Sequence, residues 1–223
     1  FGKNMLNPLG TPYSNNEKMR KCNRSIFYVR KTLENGWSRA MLLNFLDVNL
    51  YKSQGKAITN FDRQLPALQS DLAKEVIKDP YNFDFLTLTE GYREKELEDA
   101  LTNNITKFLL ELGQGFAYIG RQQPIMIGQK EMAMDLLFYH MKLRCYVVID
   151  LKVGEFDASY TSQIGTYVVA VNHQLKTEMD NPTIGLIICK TKDNVVAEYS
   201  LEASSVPIGI SEYQLSKVLP KEI

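Results

Sequence analysis

Two apolar segments, Met132 to His140 and Cys145 to Lys152, each carry one aspartate, and a short polar break from Met141 to Arg144 separates them. The second segment reads Cys-Tyr-Val-Val-Ile-Asp-Leu-Lys, rich in the β-branched and aromatic residues of buried strands. A carboxylate inside such a strand is costly unless something compensates it. A hairpin centred on Lys142 and Leu143 brings face to face the residues whose numbers sum to 285, and Asp135 and Asp150 satisfy that sum. Their Cβ atoms would lie roughly 4.5–5.5 Å apart. Lys152, two residues past Asp150, points to the same face of the sheet.

Like charges directly opposed destabilise a sheet, and one carboxylate should titrate high unless a cation intervenes. A hard divalent ion such as Mg²⁺ suits the pair, since it takes one or two carboxylates and keeps waters for a phosphate. The same residues also read as a strand-end salt bridge between Lys152 and one aspartate, with the other aspartate solvated. Residue types alone leave both open.

Charge is balanced overall but not along the chain. Residues 1–60 carry 10 Lys/Arg against 3 Asp/Glu, and the remainder carries 16 against 23. An acidic second half suits a polyanion poorly, and the first half supplies the missing positive field. Its basic residues Lys18, Lys21, Arg24, Arg30 and Lys31 are candidate nucleic-acid contacts, or simply a solvated helix face. The apolar runs fall short of the ~18 residues of a membrane span, and no secretory signal is visible. Three scattered cysteines, 22, 145 and 189, read as reduced thiols of a cytoplasmic protein. With only His140 and His173 beside them, zinc is disfavoured.

Helical signals begin at Ser25, a cap for a helix with Ile26, Val29 and Leu33 on its inner face and Asn35-Gly36 at its end. Ser38 caps a second helix with Met41, Leu42, Phe45, Leu46 and Leu50 inward, and Trp37 at the joint reads as packing there or as stacking on a base. The pair reads as a helix-turn-helix or as half of a plain bundle. A boundary near Glu90-Gly91 divides a basic, helical domain (1–90) from an α/β domain (91–223). In the latter, Leu97 to Leu112 recur at helical spacing, and Phe116 to Ile127 reads as a strand. After the aspartate hairpin, residues 160–176 fit a helix and Ile184 to Cys189 a buried strand. Glu198-Tyr199 and Pro207 to Ile210 read as short strands, and Tyr213 to Val218 as a last helix.

The Asp, then Asp-Leu-Lys pattern at 135 and 150–152 resembles the PD-(D/E)XK nuclease signature. Longer runs resemble the YhcG family of bacterial PD-(D/E)XK nucleases. They include Lys-Phe-Leu-Leu-Glu-Leu-Gly at 107–113, Gly-Arg-Gln at 120–122 and Asp-Leu-Leu-Phe-Tyr-His at 135–140. Val-Val-Ile-Asp-Leu-Lys at 147–152, Asn-Pro-Thr-Ile-Gly-Leu-Ile at 181–187 and Pro-Ile-Gly-Ile-Ser-Glu-Tyr-Gln-Leu at 207–215 extend the likeness. In that family more helical sequence precedes this region, and the chain starts with Phe1 rather than Met, so the resemblance implies an incomplete N-terminal domain.

The resemblance implies a restriction-endonuclease-like αβββαβ core, a central mixed sheet flanked by helices, behind an α-helical N-terminal domain. It implies a Mg²⁺- or Mn²⁺-dependent DNA endonuclease in bacterial defence, repair or recombination. Asp135, Asp150, the Leu151 carbonyl and Glu98 would hold the metal. Lys152 would orient the water or stabilise developing charge, and Gln163 would position the water; Arg121 is a candidate phosphate contact. By residue type alone, Glu98 also reads as part of a solvated first helical turn, and Gln163 as an exposed polar residue. A homodimer and a restriction-modification or recombination partner stay open. So do two other readings: a non-catalytic nucleic-acid-binding protein, and a partner-recruiting subunit that keeps the nuclease fold.

Overall fold

The computed structural model describes residues 15–36, 38, 39, 42, 43, 46, 51, 56–216, 218 and 219, without the side chains of 15–22, 34 and 35. Trp37, Met41, Phe45, Leu50 and the side chains of Lys18 and Lys21 lie outside them. The chain forms two compact units, Phe1–Lys52 and Ser53–Ile223.

In the first unit, α1 (Asn15–Asn35) begins ten residues before the expected cap. Good helix formers such as Lys18, Met19, Arg20 and Lys21 extend it, so Ser25 lies inside the helix. The helix also turns differently from expectation. Ile26, Val29 and Leu33 are exposed, while Tyr28 is buried against Phe27, Leu42, Leu46 and Tyr51. The aromatic side offers more area to bury than the aliphatic one.

The second unit opens with β1 (Ile58–Thr59), α2 (Phe61–Gln64), α3 (Ala67–Val76), β2 (Tyr81–Asn82) and β3 (Leu88–Thr89). Next come α4 (Glu94–Asn103), α5 (Ile105–Leu112), β4 (Phe116–Ile127), β5 (Lys130–His140) and β6 (Cys145–Leu151). It ends with α6 (Ser159–Gln174), β7 (Ile184–Cys189), α7 (Asn194–Glu202), β8 (Ile208–Gln214) and β9 (Val218–Leu219). The main sheet runs β1-β8-β7-β6-β5-β4, with β2 also on β8. β4, β5 and β6 are antiparallel and β6, β7 and β8 parallel, so the sheet is mixed. One apolar layer packs α4 and α5 against Leu136, Phe138, Ile149 and Leu151. The other packs α6 and α7 against Leu137, Val148 and Ile187. The result is an α/β fold with helices on both faces, as expected.

The sheet-bearing unit starts well before the expected boundary at residue 90. β1 and β2 both pair with β8, and Phe61, Tyr81 and Phe83 are wholly buried in the core. Asn60 fastens this segment: it accepts the Ile208 N–H at 2.8 Å and donates to the Val206 carbonyl at 2.9 Å. Two expected elements near the C-terminus differ as well. Glu198 and Tyr199 belong to α7, whose N-cap Asp193 accepts the N–H groups of Val195 and Val196. Tyr213 and Gln214 extend β8 because they pair in parallel with Tyr81 and Asn82. In the first place a local cap sets the helix, and in the second a partner strand overrides residue preference.

The β5–β6 hairpin has the expected register: His140 faces Cys145 and Leu136 faces Ile149. Its turn is closed by Arg144 at φ +50° and steadied by His140. The Leu143 N–H donates to His140 Nδ1 at 3.1 Å, and Nε2 lies 3.2 Å from the Gln114 carbonyl oxygen. A neutral ring with its proton on Nε2 satisfies both contacts, and burial pushes its pKa down to about 4. Gly115, at φ +100°, is needed here, since a Cβ would come within 2.8 Å of that ring.

Candidate active site

The site lies at the carboxyl end of β6, beside the parallel neighbour β7, where open α/β sheets commonly hold ligands. Asp150 is the next residue after Ile149, and Asp135 the one before Leu136, so the paired register sets them opposite each other. Asp150 is 1% exposed, and its Oδ2 accepts no hydrogen bond among the described residues. Burial pushes its pKa up to about 7, opposed by the Lys152 charge and reinforced by the Asp135 charge. Asp135 is only half-buried and accepts the Leu151 N–H at 2.9 Å.

Lys152 continues β6, its N–H donating to the Ile188 carbonyl at 2.9 Å. Its Nζ stands 3.0 Å from Asp150 Oδ2, so the ammonium and the buried carboxylate form an ion pair. Glu94 of α4 lies 3.9 Å away, and the Tyr160 ring at the start of α6 lies 5.0 Å beneath the ammonium. Burial disfavours the ammonium, but Asp150 and Glu94 outweigh it and hold its pKa above the usual lysine value. The lysine therefore stays charged. The single salt bridge read from residue types thus exists, yet it leaves the second carboxylate in place beside it.

Glu98 is 5% exposed on α4 and faces β4. Burial raises its pKa, a hydrogen bond from Gln122 lowers it, and the Asp135 charge raises it again. Gln122 Nε2 donates to Glu98 Oε2 at 2.5 Å and lies 3.4 Å from Asp135 Oδ1. In the sequence Gln122 stands out only as part of a Gly-Arg-Gln run, where the arginine is the more conspicuous residue. Tyr160 goes unmarked too, since nothing in its neighbourhood signals a partner.

Asp135, Asp150, Lys152 and Glu98 thus gather at one end of the sheet. Arg121 pairs with Asp99 of α4 and lies 3.4 Å from Thr102 Oγ1. Gln163 is exposed on α6, one turn beyond Tyr160, and donates to the Tyr167 hydroxyl at 3.4 Å. Arg24 lies over the Tyr28 ring at 5.8 Å, Arg30 is exposed and Lys31 half-buried, all on α1 of the first unit.

Among the described residues no three His, Cys, Asp or Glu side chains form a ready-made metal cluster. The oxygens present nevertheless suit Mg²⁺ or Mn²⁺. A buried carboxylate oxygen without a hydrogen bond, beside a second carboxylate, is a hard donor pair, and such ions fill their remaining positions with water.

Residues 74–223 match the family model described as the YhcG PDDEXK nuclease domain. The chain belongs to this nuclease family. All residues of the site fall within the matched stretch, and α1 lies before it. The YhcG protein of Escherichia coli (strain K12), provisionally named a nuclease, is 35% identical over 201 residues, which cover 88% of this chain and 52% of that protein. The chain therefore spans about half the length of its YhcG relative. A repair endonuclease from Pyrococcus abyssi is 19% identical, covering 58% of this chain and 50% of that one, with a TM-score of 0.38. EndoMS in complex with dsDNA is 18% identical, covering 66% and 52%, with a TM-score of 0.39. Likenesses this distant bear on neither substrate nor mechanism. Among the described residues no helix is long and apolar enough to cross a membrane.

Proposed function

We propose that the protein is a metal-dependent endonuclease that hydrolyses DNA phosphodiesters in the cytoplasm, in a defence, repair or recombination role. What supports this most is the Asp150 carboxylate: buried, without a hydrogen bond at Oδ2, opposite Asp135 and beside a charged lysine. Asp135 and Asp150 would hold the ion, with the Leu151 carbonyl beside them and Glu98 acting through a water. A bound Mg²⁺ or Mn²⁺ lowers the pKa of a coordinated water and offsets phosphate charge.

The chain's own residues supply the rest. Asp150 must give up its proton for the site to load. Lys152 then carries its positive charge next to the phosphate and stabilises the negative charge that builds up there. Tyr160 lies under the ammonium, and Asp150 with Glu94 holds it protonated against burial. Gln163, on the same helix as Tyr160, would orient water over the phosphate once substrate is bound. The basic α1 would add affinity for the DNA backbone.

The test is a cleavage assay on linear, flapped and four-way-junction DNA with Mg²⁺, Mn²⁺ or EDTA. Wild type should cut only with metal, and Lys152→Ala should lose at least about 100-fold in rate while still binding DNA. Cutting in EDTA, or wild-type rates in Lys152→Ala, would overturn the assignment. Metal-independent DNA binding without any cutting would favour the non-catalytic reading.

A further inference from the structure

The strand β4 contains a register shift that decides which side chain meets Asp135. Tyr118 faces Phe138, and that register continued along the strand would set Arg121 opposite Asp135. The irregularity at Ile119 moves the pairing by one residue, so Gly120 faces Leu137, Arg121 faces Leu136, and Gln122 falls opposite Asp135. Such bulges commonly re-aim a side chain next to a site. Gln122 takes φ +45° there, a left-handed conformation uncommon for a residue with a Cβ. Its side chain is exposed overall, yet the amide turns inward to Glu98 and Asp135. Among the described residues this amide makes the one hydrogen bond to the Glu98 carboxylate.

We propose that Gln122 is a positioning residue: it holds the helix-borne Glu98 carboxylate beside Asp135, within a water's reach of a cation bound by Asp135 and Asp150. This rests on the reading of the site as a cation site. Two carboxylates brought together from α4 and β5 repel each other, and a donor between them offsets that repulsion. A neutral amide does so without closing the site to a cation. An arginine at the same place would bring a full positive charge to the position the ion needs. The shift at Ile119 keeps Arg121 out of that place, and Arg121 pairs with Asp99 instead. Outer ligands that fix a metal's neighbours in this way matter to affinity, and removing one commonly weakens binding 10- to 100-fold.

The experiment is calorimetric titration of Mn²⁺ into the full chain without DNA, with the Mg²⁺ dependence of cleavage alongside. Gln122→Met keeps the length of the side chain and removes the donor, at an exposed position where the fold should tolerate it. It should bind Mn²⁺ about ten-fold more weakly. Its cleavage rate should approach wild type at saturating Mg²⁺, which a merely structural role would not produce. Because Gln122 acts through Glu98, the double variant Glu98→Ala/Gln122→Met should bind no more weakly than Glu98→Ala alone. Gln122→Arg should bind no Mn²⁺ while melting near the wild-type temperature. Unchanged or tighter Mn²⁺ binding in Gln122→Met, or additive losses in the double variant, overturns the proposal and leaves the cation site standing. If wild type itself binds no Mn²⁺, the cation site fails first and the positioning role falls with it.

Discussion

The carboxylate of Asp135 accepts the backbone N–H of Leu151 at 2.9 Å, so a charged side chain continues the β5–β6 ladder just past its last paired position. One aspartate therefore belongs to both the hairpin and the site. Those two duties separate on substitution.

Asp135→Asn can keep an acceptor toward Leu151 and loses only the charge. Its stability in EDTA should match wild type. Asp135→Ala leaves a fully buried N–H unpaired and should lose about 1–2 kcal/mol in urea unfolding. Equal losses in both variants would mean that the charge, not the hydrogen bond, carries the stabilisation.

Asp150 should give metal-free stability an unusual pH slope. Folded, it keeps its proton to about pH 7; unfolded, it loses it near the ordinary 3.8. The native state then binds more protons than the unfolded one across that window, so this group makes stability fall as pH rises from about 4 to about 7. Asp150→Asn should abolish that part of the slope and melt level with or above wild type in EDTA at neutral pH. Wild type should gain melting temperature with Mg²⁺ or Mn²⁺ and the variant little, because the ion binds only the native state. A strongly destabilised Asp150→Asn in EDTA would make the carboxylate a structural partner of Lys152.

His140 acts in the opposite direction. Its folded pKa, about 4, lies below the ordinary 6.5, so the unfolded state takes up the proton first. Protonation on Nδ1 would set two donors, the ring and the Leu143 N–H, against each other. This contribution is complete above about pH 6.5 and is lost as pH falls toward 4, by roughly 3 kcal/mol in full. A variant without the titration, such as His140→Gln, should melt lower than wild type at pH 7.5 and close much of the gap by pH 4.5. A gap that does not change with pH would show that the ring is not buried neutral.

The basic first unit should carry much of the DNA affinity. Reversing Lys18, Lys21, Arg24, Arg30 and Lys31 to glutamate should weaken binding and flatten the plot of log affinity against log salt. Arg30→Glu alone, at an exposed position, should leave the melting of the chain little changed. An unchanged salt slope would move the DNA-binding surface to the second unit.

The centre of the site was readable because a hairpin obeys a simple count. Once Lys142 and Leu143 sit at the turn, Asp135 and Asp150 must face each other and Lys152 must share their face. The family pattern points to Glu98, whose burial an acidic first turn does not signal. Gln122 was hidden because the count fails in β4: a shift at Ile119 leaves no mark in residue types. The same limit applied at the ends of the chain. Tyr213 and Gln214 look helical until Tyr81 and Asn82 are known to lie beside them, and no local preference reports a partner more than a hundred residues away. In α1 the stripe of Ile26, Val29 and Leu33 outranked Tyr28 on hydrophobic spacing, yet the ring is what the neighbouring residues bury.

Asn60 also sets a lower limit on how far this protein can be trimmed. The family match begins at residue 74, and a fragment cut there would look complete by sequence. It would leave the Ile208 N–H and the Val206 carbonyl without the Asn60 amide, empty the space of the buried Phe61 ring, and bare the edge of β8 at Gly209 and Ile210. An unpaired strand edge beside an open apolar hollow is a template for sticking to other chains. Expression of the sheet-bearing unit alone should therefore start near Ser53, where the compact unit begins, and fragments that start at 74 should be recovered mostly as aggregate.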